Sequence, residues 1–396
     1  MERKSNRWKY SFKDSVRESL MHRFARCYSA HTMRILTFLA LILSLAPPIF
    51  GQEAEKAKPG LPNDPREILA AAAPFYDFTS PELKPWHLKA TYQLYDEKGK
   101  PSEQGTFEYW WASPLIHKSS WTRPSASQSE SELASGMHEY RFSGEPLKYS
   151  EYKLQSALVF PLPAPVYLDL DHSRLDRTTV RSGKTKLSCI MVVPPVGLQW
   201  SKQILPLGLF PTYCFDPQLP VLRASYSLGS VTTGFDKMEM FQGRYLPHEV
   251  MIRNDEQKIL TAEVESITTL EPSDPDLKEL VALPAANSVD AISATSNNPV
   301  VLDKGIALGK WLVKHQAPLY PPYAKQAGDS GTVVLQIRIG RDGGIRDLRI
   351  VKSTPSPSLA AAALWAVSHW EYKPYMRDGV PVEVETTVYV TFTVGG

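Results

Sequence analysis

The sequence has little cysteine, no catalytic signature, almost no excess of either charge and one long apolar run. Three cysteines in 396 residues are too few for a disulfide-dense scaffold. With no H-x-x-x-H, H-E-x-x-H or metal-binding Cys pair, they build no tetrahedral metal site. His87, His117, His138 and His248 are scattered and read as surface or hydrogen-bonded core residues, so neither metal nor other cofactor is expected. A G-x-S-x-G elbow is missing. Gly305–Lys310 is one residue short of a phosphate-binding loop, and Trp311 stands where Ser or Thr would hold magnesium. The chain is expected not to be an enzyme. Its formal net charge is +2, and because Met1–Gly51 alone carries +6, the remainder is −4; a nucleic-acid binder would be more basic.

The one long apolar run, Ile35–Phe50, follows Arg34 and ends with Pro47, Pro48 and Gly51. Sixteen residues fall short of the ~20 that span a bilayer, so residues 1–51 read as leader and signal peptide, cleaved near Gly51, with a retained signal anchor as the alternative. Met33-Arg34 would serve as a start. Export places the chain in an oxidising compartment, where Cys189 and Cys214, the two cysteines that survive cleavage, are expected to form a disulfide.

Thirty-three prolines and 10% aromatic residues favour short strands over long helices. Residues 52–78 form a charged lead-in with a short helix over Pro65–Ala73. From Trp86 the period is two: Trp86, Leu88, Ala90, Tyr92 and Leu94 share one face, Asp96–Gly99 makes a turn, and Phe107, Tyr109 and Trp111 continue the alternation. Leu260, Ala262 and Val264 repeat it. Residues 79–270 are therefore expected to be one antiparallel β-rich domain, and residues 271–315 a linker, whose stretch Glu271–Pro299 is poor in aromatics and rich in Pro, Ser, Asn and Ala, with a short helix at Asp276–Leu283.

The last eighty residues read β-β-α-β. Gly331–Ile339 alternates, Asp342-Gly343-Gly344 supplies a tight turn, and Ile345–Ser353 returns. Ser356-Pro357 opens a helix with the stripe Leu359, Ala363, Ala366, Val367 and Trp370, and Val380–Val394 is a final strand. The order Tyr320-Pro321, Gly331, Asp342-Gly343, Ala361–Ala363, Trp370-Glu371-Tyr372-Lys373-Pro374 resembles the C-terminal domain of TonB-family proteins over residues 316–396. The fold class is thus α+β, a β-rich domain followed by a small TonB-like one, and Val300–Gly396 is expected to fold alone. The resemblance implies a periplasmic location in a Gram-negative-type bacterium and contact with an outer-membrane receptor or another envelope protein. A proton motor in the inner membrane would act only through a retained anchor.

Contact of this kind is expected to be strand addition, in which main-chain bonds supply affinity. The residues placed at it are Gln316, Tyr320, Pro321 and Pro322 on the approach to the domain, and Val384, Thr386, Val388, Tyr389 and Val390 on the final strand. The β-rich part resembles the LolA/RseB-like periplasmic half-barrels, which implies the alternative function: a carrier of lipid or lipoprotein, with an apolar ligand held among inward aromatics such as Trp86, Tyr92, Phe107 and Trp111.

Overall fold

The computed structural model describes residues 60–132, 138–163, 168–282, 299–302, 308–353, 356–377 and 379–394. The expected leader and signal peptide, and nearly half of the expected linker, lie outside them. Asp64 caps helix α1 (Pro65–Ala72) by accepting a hydrogen bond from Arg66 N at 2.8 Å, and the helix buries Ile68, Leu69 and Ala72. Where the sequence alternates, strands form. In β1 (Trp86–Tyr95) every second residue is buried, and the turn at Gly99, with φ +71°, returns the chain into β2 (Pro101–Ser113). Strands β3 (Ile116–Arg123), β4 (Ala126–Glu132) and β5 (His138–Gly144) extend this meander.

Helix α2 (Tyr149–Val159) then crosses to a second meander: β6 (Arg174–Ser182), β7 (Thr185–Val193), β8 (Thr212–Phe215), β9 (Leu222–Ser227), β10 (Val231–Phe241), β11 (Arg244–Asn254) and β12 (Gln257–Thr269). Pairing of β1 with β12 fuses the two into a twelve-stranded antiparallel sheet, ordered β5-β4-β3-β2-β1-β12-β11-β10-β9-β8-β7-β6. Cys189 and Cys214 are direct cross-strand partners on β7 and β8 and form a disulfide.

The inward aromatics of β1–β3 pack on one another. Trp86 stacks on Tyr109 and Trp111 at centroid distances of 5.3 and 6.3 Å, and Phe107 meets Trp121 at 5.0 Å. Helix α2 closes over this face through Leu154, Ala157 and Leu158, and a buried polar group fixes its seat. Tyr92 Oη donates to Glu151 Oε1 at 2.5 Å, and Arg123 Nε lies 3.2 Å from the same oxygen. Gly105 leaves room for the Tyr92 ring, since a Cβ there would stand 2.5 Å from it.

Helix α3 (Pro275–Val281) follows β12. The C-terminal part contains β13 (Val300–Val301), α4 (Leu308–Trp311), β14 (Leu312–Lys314), α5 (Pro322–Gln326), β15 (Gly331–Ile339), β16 (Ile345–Lys352), α6 (Pro357–Ser368), β17 (Glu371–Tyr372), β18 (Tyr375–Arg377), β19 (Val380–Val382) and β20 (Val384–Phe392). Its main sheet has the order β13-β20-β15-β16. The single final strand read from the sequence is two, because Val380–Val382 turns back at Gly379 to pair with Tyr375–Arg377, and only Val384–Phe392 joins the main sheet. The protein is a mixed α+β fold, as its sequence pattern implies.

Helix α6 buries Leu359, Ala363, Ala366 and Val367 as the stripe requires, and Ala360 and Leu364 as well. The wider burial has a cause. The helix lies between its own sheet and the β-rich part, where a Cβ at Gly229 would come within 3.4 Å of Leu364. One apolar cluster accordingly contains Met191, Val193, Trp200 and Phe210 together with Val333, Leu335, Leu359 and Leu364.

Candidate partner-binding edge

A strand can accept a partner only where its main chain is unpaired, so the site is defined by which flank of which strand is open. β20 pairs along its whole length with β15, from Gly331↔Phe392 to Ile339↔Val384. On its other flank, β13 runs parallel to it only at Val384 and Glu385, with Val300 N donating to Glu383 O (2.8 Å) and Leu302 N to Glu385 O (3.0 Å). These bonds show that odd-numbered residues turn their main-chain groups away from β15. By the alternation of the strand, Thr387, Tyr389 and Thr391 direct N–H and C=O to the flank that no other strand pairs with among the described residues. β16, the opposite edge strand, packs against the turn Pro195–Trp200 of the β-rich part.

The sequence-expected residues fall into three positions. Val384, Thr386, Val388 and Val390 are buried, their side chains in the C-terminal core and their main chain turned toward β15. Tyr389 is 56% exposed and stands on the open flank. The approach residues are strapped down: Trp370 Nε1 donates to Gln316 O at 2.9 Å, Tyr320 Oη donates to Asp329 O, and the Tyr320 ring meets Phe392 edge-on at 5.5 Å. Pro321 caps α5 and Pro322 begins it, which leaves Tyr323, 86% exposed, at the surface. Thr387 and Thr391 were not legible as site residues, because side-chain alternation does not reveal which flank the amides face.

The Asp342-Gly343 turn is used twice. Gly343, at φ +85°, accepts from Tyr372 N at 2.8 Å and so ties the β15–β16 hairpin to the Trp370–Pro374 helix exit. On its other side the turn grips the β-rich part: Arg341 pairs with Glu130 and lies 3.9 Å above the Tyr140 ring, while Arg346 sits over Tyr152 and donates to Leu147 O at 3.2 Å. Burial works to lower the pKa of Arg341, but the Glu130 carboxylate outweighs it and raises the guanidinium above its ordinary value, so it stays charged at all accessible pH. Burial raises the phenol of Tyr140 well above its usual range. Nearby Trp365 Nε1 donates to Asp255 Oδ2 at 2.8 Å, and Lys314 Nζ reaches Glu97 Oε1 at 2.6 Å. The module that carries the open strand is thus bonded to the β-rich part at several points.

Residues 316–394 match the family described as Gram-negative bacterial TonB protein C-terminal. The protein TonB of Vibrio cholerae is 29% identical over 107 residues, which is 27% of this chain and 42% of the relative. The chain therefore spans less than half the length of that curated relative. Two solved structures cover the larger part of the fold: an outer-membrane lipoprotein-sorting protein domain from Vibrio parahaemolyticus, at 9% identity, 52% of this chain, 93% of that one and TM-score 0.32, and a LolA superfamily protein from Nitrosomonas europaea, at 7%, 54%, 96% and 0.30. The C-terminal residues are TonB-like in sequence.

Proposed function

We propose that this is a non-enzymatic cell-envelope protein of the periplasm whose C-terminal module receives an extended segment of an outer-membrane receptor by strand addition along β20. The observation that carries the reading is the open flank at Thr387, Tyr389 and Thr391, in a module whose residues 316–394 match the TonB C-terminal family. Main-chain donors and acceptors in a row satisfy any extended chain, and the exposed Tyr389 and Thr391 side chains supply the contacts that choose among them. β13 ends the open flank at Glu385, so among the described residues the free rim is Thr386–Phe392 and fits a segment of about seven residues.

The carrier reading gains no comparable support, since the inward aromatics of the β-rich part are packed against one another and against α2. A photo-crosslinking residue at Thr391 tests the proposal in intact cells. Crosslinks to an outer-membrane protein, lost when Tyr389 is replaced by proline, are expected. Crosslinks only to a second copy of the chain, or none, would count against it.

A further inference from the structure

Between the β-rich part and the C-terminal module lies a cleft of about 1120 Å³, as large as the upper range of small-molecule sites. Its walls come from the β1–β2 turn, the α2 approach, the β9–β10, β11–β12 and β15–β16 turns, and the residues around β14 and β17. Seven carboxylates line it against two lysines, Lys148 and Lys314. Arg123 and Arg346 stand behind Glu145 and Asp342, and the acids still outnumber the cations. Lys314 is shared by Glu97 and Glu371, which holds it in the wall, and those carboxylates keep its ammonium above the usual lysine range. The apolar part of the lining is mixed, with the aromatic Tyr95, Tyr149, Trp370 and Tyr372 beside aliphatic residues such as Leu94 and Ile259.

We propose that this cleft binds a basic, amphipathic peptide segment of a partner protein, a second contact separate from the β20 edge. Acidic and aromatic walls suit lysine or arginine, whose aliphatic stems cover rings while their heads meet carboxylates. The protein already uses this chemistry around the cleft, with Lys258 4.6 Å above Tyr95, Arg341 over Tyr140 and Arg346 over Tyr152. A fatty acid would bring its own carboxylate into a field of the same sign, and nucleic acid its phosphates, so charge selects against both.

The test uses the full chain and a fluorescein-labelled octapeptide alternating lysine and leucine, with the glutamate–leucine octapeptide and decanoate as comparison probes. The lysine peptide is expected to bind, to weaken as salt rises, and to protect amides at Asn254–Gln257 and His369–Tyr372 from hydrogen exchange. Glu256→Lys, a reversal on the exposed β11–β12 turn, is expected to weaken it about fivefold or more while leaving the melt unchanged. Four results would each overturn the proposal: equal binding of the glutamate peptide, unchanged affinity in Glu256→Lys, protection of the two segments by decanoate alone, or protection confined to Thr387–Thr391. The last would leave strand addition standing and remove the cleft, so the two readings fail separately.

Discussion

Gly343 shows how one residue can hold two requirements. Its φ of +85° suits glycine, and a Cβ at that position would stand 1.8 Å from the Tyr372 carbonyl oxygen, so backbone conformation and close approach both exclude a side chain. Gly343→Ala is expected to destabilise the protein by about 1–3 kcal/mol, read from the urea midpoint. Gly99→Ala, at a similar φ with nothing within 4 Å, should lie at the small end of that range. Lys153 on α2 offers a pH-dependent check. Burial pushes its ammonium down to about 8, with Asp347 pulling weakly the other way. Its folded pKa lies below the unfolded value, so the unfolded chain binds the extra proton between pH 8 and the usual lysine range, and stability should rise with pH from 8 to about 10. Above that, the buried tyrosines reverse the trend, because Tyr76, Tyr109 and Tyr213 ionise more readily when unfolded. Lys153→Met is expected to raise the melting temperature at pH 7 and to flatten the rise between pH 8 and 10.

β20 separates folding from binding by residue parity. Even-numbered residues bond to β15 and bury their side chains, whereas Thr387, Tyr389 and Thr391 turn their amides outward. Proline at Val388 removes a ladder bond inside the sheet and is expected to unfold the C-terminal module. Proline at the neighbouring Tyr389 removes only an outward donor, and should leave the circular dichroism and the melt intact while abolishing partner binding. Equal loss of fold in both variants would show that the outer flank is already engaged. The strand itself was readable from the alternation of Val384, Thr386, Val388, Val390 and Phe392. Its open flank was not, since that depends on β13 stopping at Val301 and on β15 occupying the other side.

Across the molecule, linker composition in residues 271–315 suggested two independent modules, yet the C-terminal core continues into the β-rich part. Trp200 and Phe210 belong to the same apolar cluster as Leu335 and Leu364, and Arg341 and Arg346 reach across to Glu130, Tyr140 and Tyr152. The described chain is expected to melt in one transition by calorimetry. A fragment beginning at Val300 should melt lower than the C-terminal module does within the full chain, because it exposes the second face of α6. Two separated transitions, with the fragment matching the upper or lower one, would show that the shared cluster adds no coupling.

What the sequence determined by itself is local. Period-two burial set β1, β2, β15 and β20; Ser356-Pro357 marked a helix start; Asp342-Gly343 marked a hairpin; and Cys189 and Cys214 were the expected disulfide pair. The tertiary structure decided the rest. Which flank of β20 is open, why α6 is buried on two sides, and that acids from five distant stretches of chain meet in one cleft all depend on the partners that each element packs against. Side-chain alternation encodes faces, whereas edges and clefts arise only when strands and modules far apart in sequence are brought together.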